Sequence, residues 1–227
     1  MYTIKLAVFD MAGTVVNEDN VVYKTLMKAI NKNGYNISLE FVLEHGAGKE
    51  KHQAIKDILK AESYSVDAEL AKTIFKEFKM LLGEAYENLE VTSYKGVEDM
   101  LYVLKANGIK IALNTGYDTH TAQLLLDKMH WNIGMQYDVL ITADDVNLGR
   151  PNPDMILEAM SKLQVYDAEL VLKVGDSIID IEEGKNAKCG ITIGVTTGAH
   201  TYEQLSSAEP TYVLNSLSNL SDLLINK

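Results

Sequence analysis

Residues 4–14 read Ile-Lys-Leu-Ala-Val-Phe-Asp-Met-Ala-Gly-Thr. The stretch from Ile4 to Phe9 is apolar enough for a buried strand, and Asp10 follows it directly. A carboxylate there, followed by Gly13 and Thr14, presents a nucleophile at a strand's C-terminal edge. In parallel α/β sheets ligands bind at that edge. The pattern suggests phosphoryl chemistry.

Downstream of this stretch the periodicity changes to helical for about 70 residues. Val21, Val22, Leu26, Ala29 and Ile30 recur at helical spacing, and Asn33-Gly34 ends that helix. Ser38 caps a short second helix. A Gly-rich break at Gly46-Ala47-Gly48 precedes a third, containing Ala54, Ile55, Ile58 and Leu59. Ala68 to Tyr86 forms a fourth, with Leu70, Ile74, Phe78 and Leu82 as its stripe. After Gly96 short apolar strands alternate with helices. The strands fall at 110–113, 139–142, 170–174 and 191–195. This alternation predicts an α/β, Rossmann-like parallel sheet with helices on both faces. Residues 1–14 and 89–227 are expected to form that core. Residues 15–88 read as an inserted all-helical cap domain over the edge that carries Asp10.

Composition narrows the partners. The 227 residues suffice for one large core and a smaller accessory domain. A net charge of -11 argues against nucleic acid and against anionic membrane as partners. It also disfavours a phosphate-bearing substrate unless cations or a metal gather locally. The single Cys189 excludes an internal disulfide and fits a reducing cytosol. The chain enters a strand without a leader-like region, and no apolar run approaches spanning length. The expected location is cytoplasmic.

Four strand ends carry groups suited to phosphate. The first gives Asp10. The second gives Asn114-Thr115-Gly116, where a hydroxyl and backbone N–H groups at a helix start can hold phosphate oxygens. The third leads to Gly149-Arg150-Pro151 and a permanent cation. The fourth gives Asp176, with Asp180 one helical turn later on the same face. Each alone has a plainer reading: Asp as a helix cap, Asn-Thr-Gly as a turn, Arg as a solvated side chain. Together, in order and all at strand ends, they read as one site. Carboxylates with a phosphate make a hard oxygen site suited to Mg²⁺.

At this point the chain resembles the haloacid dehalogenase superfamily, over essentially its whole length. Asp10 to Thr14 matches the nucleophile motif, Thr115 the phosphate-binding motif with Gly116 beside it, and Arg150 the cationic motif. Asp176 and Asp180 match the acidic metal motif. The resemblance implies attack by Asp10 on phosphorus and an aspartyl-phosphate that water hydrolyses. It implies Mg²⁺ held by Asp10, the Ala12 carbonyl and Asp176, with Asp180 organising the surroundings. A dehalogenase needs no metal, whereas this chain keeps both downstream acids.

Position 12 departs from the usual phosphatase pattern. An alkoxide leaves poorly without a proton, and typical members place an Asp there to supply it. Ala12 cannot. The same Asp-x-Ala-Gly-Thr departure occurs in the phosphonatase (phosphonoacetaldehyde hydrolase) subfamily. Its cap carries Met-Gly-x-x-Lys-x-x-His, and its Lys forms a Schiff base so that carbon leaves as an enamine. Here His45-Gly46-Ala47-Gly48-Lys49-Glu50-Lys51-His52 corresponds, with His45 at the Met position. Lys49 is thus a candidate imine former, or a cation that grips the substrate, and Lys51 can be read as an exposed neighbour. His52 is a candidate assisting base. His45 is a candidate for the absent proton donor, since its ordinary pKa permits it.

The expected function is hydrolysis of a small phosphorylated or phosphonate metabolite, with carbon–phosphorus cleavage as the specific form. Alternatives are a phosphoglycolate- or sugar-phosphatase-like monoesterase and a degraded phosphate-binding protein. The resemblance also makes a homodimer through the cap plausible.

Overall fold

The structure is a computed structural model that describes residues 4–63, 68–87 and 89–225. Its strands are β1 (Leu6–Asp10), β2 (Val16–Asn17), β3 (Thr92–Ser93), β4 (Lys110–Asn114), β5 (Val139–Ile141), β6 (Val171–Gly175), β7 (Ile191–Val195) and β8 (Tyr212–Leu214). Six of them form a parallel sheet in the order β5-β4-β1-β6-β7-β8. Every residue of β1 is buried, as a central strand covered on both faces requires. The order runs outward from β1 in both directions, so the crevice where ligands bind in such sheets opens beside its tip.

The helices are α1 (Val21–Lys32), α2 (Leu39–Gly46), α3 (Lys51–Ser63), α4 (Ala68–Glu87), α5 (Val97–Ala106), α6 (Thr119–Lys128), α7 (Asp154–Lys162), α8 (Ile178–Asn186), α9 (Tyr202–Ser207) and α10 (Leu220–Ile225). Helices α1 to α4 occur consecutively and pack on one another, α1 chiefly on α4 and α2 on α3. Val22, Leu26, Ala29 and Ile30 of α1 are buried, as are Ile74, Phe78 and Leu82 of α4. The stripes expected from spacing are therefore the ones that pack. The Ser38 hydroxyl accepts the Phe41 N–H at 3.1 Å and caps α2.

Two local features differ from expectation. The expected helical block begins as helix only at Val21, because Val16–Asn17 pairs antiparallel with Thr92–Ser93. That ribbon is two residues long, too short to leave a period in the sequence. Residue 88, its expected end, lies outside the described residues, as do 1–3, 64–67 and 226–227. Strand β8 extends the sheet beyond the four downstream strands expected. No helix among the described residues is long and apolar enough to cross a membrane.

The Leu26 side chain is fully buried. Leu26→Ala should cost about 2–5 kcal/mol, measured as a lower denaturant midpoint with an unchanged slope. An unaltered midpoint contradicts the packing of α1 described here.

Candidate active site at the strand tips

Register assembles the site. Asp10 pairs with Asn114 across β1 and β4, and Phe9 with Val174 across β1 and β6. The residues that follow these strands therefore emerge side by side. Thr115 leaves β4 with its N–H on the Ile141 carbonyl at 3.0 Å, and its hydroxyl accepts the Tyr117 N–H at 3.2 Å. Asp10, Ala12, Tyr23, Gly48, Lys51, Thr115, Gly116, Tyr117 and Arg150 line one small pocket of about 10 Å³. That is room for about one water.

Arg150 reaches in from the loop before α7 and is buried. Its Nη1 donates to Asp10 Oδ1 at 2.6 Å, and Nη2 donates to the Asn114 carbonyl and Oδ1 at 2.8 and 2.9 Å. Nε donates to Glu183 Oε2 at 3.1 Å. Lys173 of β6 lies beneath, with Nζ 2.7 Å from Asn114 Oδ1 and 3.0 Å from both Asp180 Oδ1 and Glu183 Oε2. Burial opposes the charge on Arg150, but Asp180, Asp10 and Glu183 outweigh it and hold the guanidinium protonated. For Asp180 burial acts upward, while Arg150 and Lys173 pull harder and keep the carboxylate ionised, below its ordinary range.

Asp176 is fixed differently. Its Oδ2 accepts the Ala199 N–H at 2.6 Å, and its carbonyl accepts the His200 N–H at 3.2 Å. A Cβ on Gly13 or on Gly198 would overlap that same Oδ2. The two glycines form a cradle for the carboxylate, and Gly13 also has a φ of 82°, which favours glycine. One oxygen each from Asp10, Asp176 and Asp180 lies within 4.8 Å of the others. Burial, then the charge of Asp10 and of Asp180, pushes Asp176 well up. Burial chiefly raises Asp10 as well, against the pull of Arg150. An acid cluster so strained toward protonation fits a divalent cation, which relieves the same repulsion. Asp180 is already engaged: Oδ2 accepts the Ser177 hydroxyl at 2.5 Å, and Oδ1 faces Arg150 and Lys173 at 3.1 and 3.0 Å. Asp10 and Asp176 are the side chains with capacity left for a metal.

The cap loop lies directly on this core. Gly48 N–H donates to the Tyr23 hydroxyl at 3.1 Å, and a Cβ on Gly48 would stand 2.5 Å from Ser177 Oγ. A Cβ on Gly116 would stand 2.9 Å from the Lys49 carbonyl oxygen. Of the two lysines in that loop, the structure brings Lys51 to Asp10. The Lys49 Nζ instead pairs with Asp57 at 2.5 Å within the helical block. Lys51 is buried, its Nζ donating to the Lys49 carbonyl at 2.7 Å and lying 5.4 Å from the ring centres of Tyr23 and Tyr117. The reading of Lys51 as an exposed neighbour is therefore corrected. Burial, only partly offset by Asp10, lowers its ammonium to about 8.

The other cap candidates stay apart from the pocket. The His52 ring lies 5.2 Å from Phe75, and the His45 ring 4.4 Å from Phe41. Gly46 makes room for Ile58, whose Cδ1 would be 2.9 Å from a Cβ there. A signal for Lys51 was present in the sequence. Gly-x-x-Lys occurs twice in register, from Gly46 and from Gly48, and only the second frame points inward. In that frame Ala54, not a histidine, stands three residues after the lysine.

Glu18 was not singled out by sequence, because an acid before a helix reads as a cap. It does cap α1, accepting the Val22 N–H at 3.0 Å. Yet it is only 2% exposed, and no Lys or Arg nitrogen among the described residues lies within ion-pair distance. Burial pushes it up to about 7. Beyond Lys51, Gly116 and Tyr117 a second cavity of about 530 Å³ opens between α3, α4 and the start of α6, lined by Phe75, Phe78, Leu82, Tyr86 and Leu124 among others.

The haloacid dehalogenase-like hydrolase family model matches residues 4–188. A phosphonoacetaldehyde hydrolase from Latilactobacillus sakei is 29% identical over 211 residues, covering 86% of this chain and 76% of that protein. A phosphonoacetaldehyde hydrolase-like protein from Oleispira antarctica superposes with TM-score 0.86 at 22% identity, over 99% of this chain and 92% of that one. A predicted phosphoglycolate phosphatase from Haemophilus somnus superposes with TM-score 0.79 at 22% identity, over the full length of both chains. With Asp10, Arg150 and the acid cluster converging at the tips of this sheet, the chain belongs to the haloacid dehalogenase-like hydrolase family and is a hydrolase.

Because Glu18 binds its proton more tightly folded than unfolded, its contribution to stability is present below about pH 4.5 and is lost as pH rises through about 7. Glu18→Gln should therefore be more stable than wild type at pH 8, by about 3 kcal/mol, with the gap narrowing toward pH 5. Urea melts at the two pH values test this. A constant gap contradicts the burial of an ionisable carboxyl there.

Proposed function

We propose that this hydrolase transfers a phosphoryl group to Asp10 and releases it to water, and that its substrate is a small phosphonate aldehyde joined to Lys51 as an imine. The carrying observation is the pairing of a buried lysine with a nucleophilic carboxylate in one pocket where position 12 offers no acid. Mg²⁺, held by Asp10, the Ala12 carbonyl and Asp176, supplies charge neutralisation for the phosphoryl oxygens when bound.

The chain's own residues account for the remaining steps. Lys51, lowered to about 8, offers enough free amine near neutral pH to condense with an aldehyde and release water. The protonated imine then accepts the electron pair of the breaking carbon–phosphorus bond, so carbon departs as an enamine while the Asp10 oxygen bonds to phosphorus. Arg150 holds the Asp10 carboxylate in place, and Thr115 and Gly116 face the transferring group. Water cleaves the aspartyl-phosphate, and the enamine, once protonated on carbon, becomes an imine whose hydrolysis frees Lys51 and the aldehyde. The space beside Asp10 holds about one water, so the cap loop must move to admit a substrate and then close.

One observation favours a second reading. The 530 Å³ cavity shares Lys51, Gly116 and Tyr117 with the Asp10 pocket and exceeds what a two-carbon aldehyde fills. It suits a phosphomonoesterase in which Lys51 anchors a larger ester.

Borohydride added with phosphonoacetaldehyde should trap a two-carbon adduct on Lys51, located by peptide mass spectrometry, and inactivate the protein. Lys49→Ala should trap equally, and Asp10→Asn should abolish phosphate release. Absence of the adduct, together with ester turnover that survives Lys51→Met, selects the monoesterase.

A further inference from the structure

Asp10 phosphorylation by any poor leaving group needs a proton, and Ala12 supplies none. Three buried groups lie in line toward the pocket. Tyr117 lines both the Asp10 pocket and the larger cavity. Its hydroxyl is 3.0 Å from that of Tyr86, and either can donate. The Glu18 carboxyl stands beside the Tyr86 hydroxyl and acts on it directly, helping to hold it above its ordinary range. Tyr86 and Tyr117 are 1% and 4% exposed, so the two side chains between Glu18 and the pocket are largely shielded from solvent.

A cap alone does not explain Glu18. An exposed Asp or Asn caps a helix as well, without burying a carboxylate beyond ion-pair distance of every described Lys and Arg. We propose that Glu18, acting through Tyr86 and Tyr117, is the proton store that replaces the acid missing at position 12. This rests on phosphoryl transfer to Asp10 and is indifferent to which leaving group is carried. As the bond from phosphorus to an alkoxide oxygen breaks, its electron pair takes the Tyr117 hydroxyl proton; an enamine, which departs without one, takes that proton on carbon in the following step to the imine. Tyr117 is refilled from Tyr86, and Tyr86 from the Glu18 carboxyl. When water attacks the aspartyl-phosphate, the proton it sheds returns by the same path and restores Glu18.

Charged and titratable groups facing Glu18 are Lys51 from α3, Tyr23 from α1, Tyr86 from α4, Tyr94, Tyr117 and the adjacent Asp19. All four tyrosines are held above their ordinary range by burial, so they pass protons without ionising near neutral pH.

The test compares leaving groups in the full-length Mg²⁺-supplemented protein. p-Nitrophenolate leaves without a proton; an alkoxide needs one to depart, and the enamine from phosphonoacetaldehyde needs one on carbon to become the imine. Glu18→Gln keeps an oxygen to cap α1 but cannot carry the proton. It should lower the ratio of alkyl-phosphate or phosphonoacetaldehyde turnover to p-nitrophenyl phosphate turnover by about tenfold or more. The fall in wild-type activity on the proton-requiring substrate above about pH 7 should disappear with it. Tyr86→Phe, which leaves the carboxyl in place and cuts the path, should reproduce the ratio change. Equal losses on all substrates in both variants, or a ratio that does not move, overturn the relay while leaving the phosphoryl-transfer reading standing. A wild type that releases no phosphate from any of the three overturns both.

Discussion

Burying like charges together is the constraint on which this structure turns. Asp10, Asp176, Asp180 and Glu183 lie together below 10% exposure, and the fixed cations among them are Arg150 and Lys173. A buried carboxylate without a partner costs several kcal/mol, so each must be engaged or neutralised. Glu183 and Asp180 are engaged, since Arg150 and Lys173 bridge them and Asn114 Nδ2 donates to both Glu183 oxygens at 3.0 Å. The excess negative charge is thereby concentrated on Asp10 and Asp176, the two acids pushed upward. The network engages both cations with Asp180 and Glu183, shares Arg150 alone with Asp10, and leaves Asp176 held by a backbone N–H.

That division explains which parts were legible in the sequence. Asp10, Thr115, Arg150, Asp176 and Asp180 follow strand ends, and a strand end is a local signal: an apolar run that stops. Lys173 and Glu183 are equally part of the cluster, yet Lys173 sits inside a strand and Glu183 inside a helix, where a charge ordinarily points to solvent. Only their three-dimensional pairing makes them interior residues. The ribbon of β2 and β3 escaped for a different reason, being two residues on each side.

The cap loop illustrates how little separates two frames. Gly46 and Gly48 both precede a lysine by three residues, and the deciding facts are steric. Gly46 yields space to Ile58 within the helical block, whereas Gly48, with a φ of 74°, yields space to Ser177 of the core. The second glycine is the one that lets the loop touch the sheet, so the lysine counted from it faces Asp10. Lys49, two residues earlier, finds Asp57 on α3. Lys49 lies in the bend before α3 and Lys51 at its first residue, so no single period relates the two side chains, and the choice between them needed the loop's contacts.

The aromatic wall completes the logic of position 12. Replacing an acid by Ala removes a proton source and also a charge that would repel the incoming phosphoryl group. The pocket regains polarity from Tyr23, Tyr117 and Lys51, which enter from α1, from the loop after β4 and from α3. Tyrosines contribute hydroxyls without adding negative charge, because burial keeps them protonated. Glu18, which does carry an ionisable carboxyl, stands behind Tyr86, separated from the pocket by two hydroxyls. A proton can cross that distance by successive transfers, whereas the repulsion of an ionised carboxylate on an anionic substrate weakens with separation. Moving the acid off the strand tip and behind the tyrosines therefore separates proton supply from charge repulsion, two demands that an acid at position 12 must meet at once.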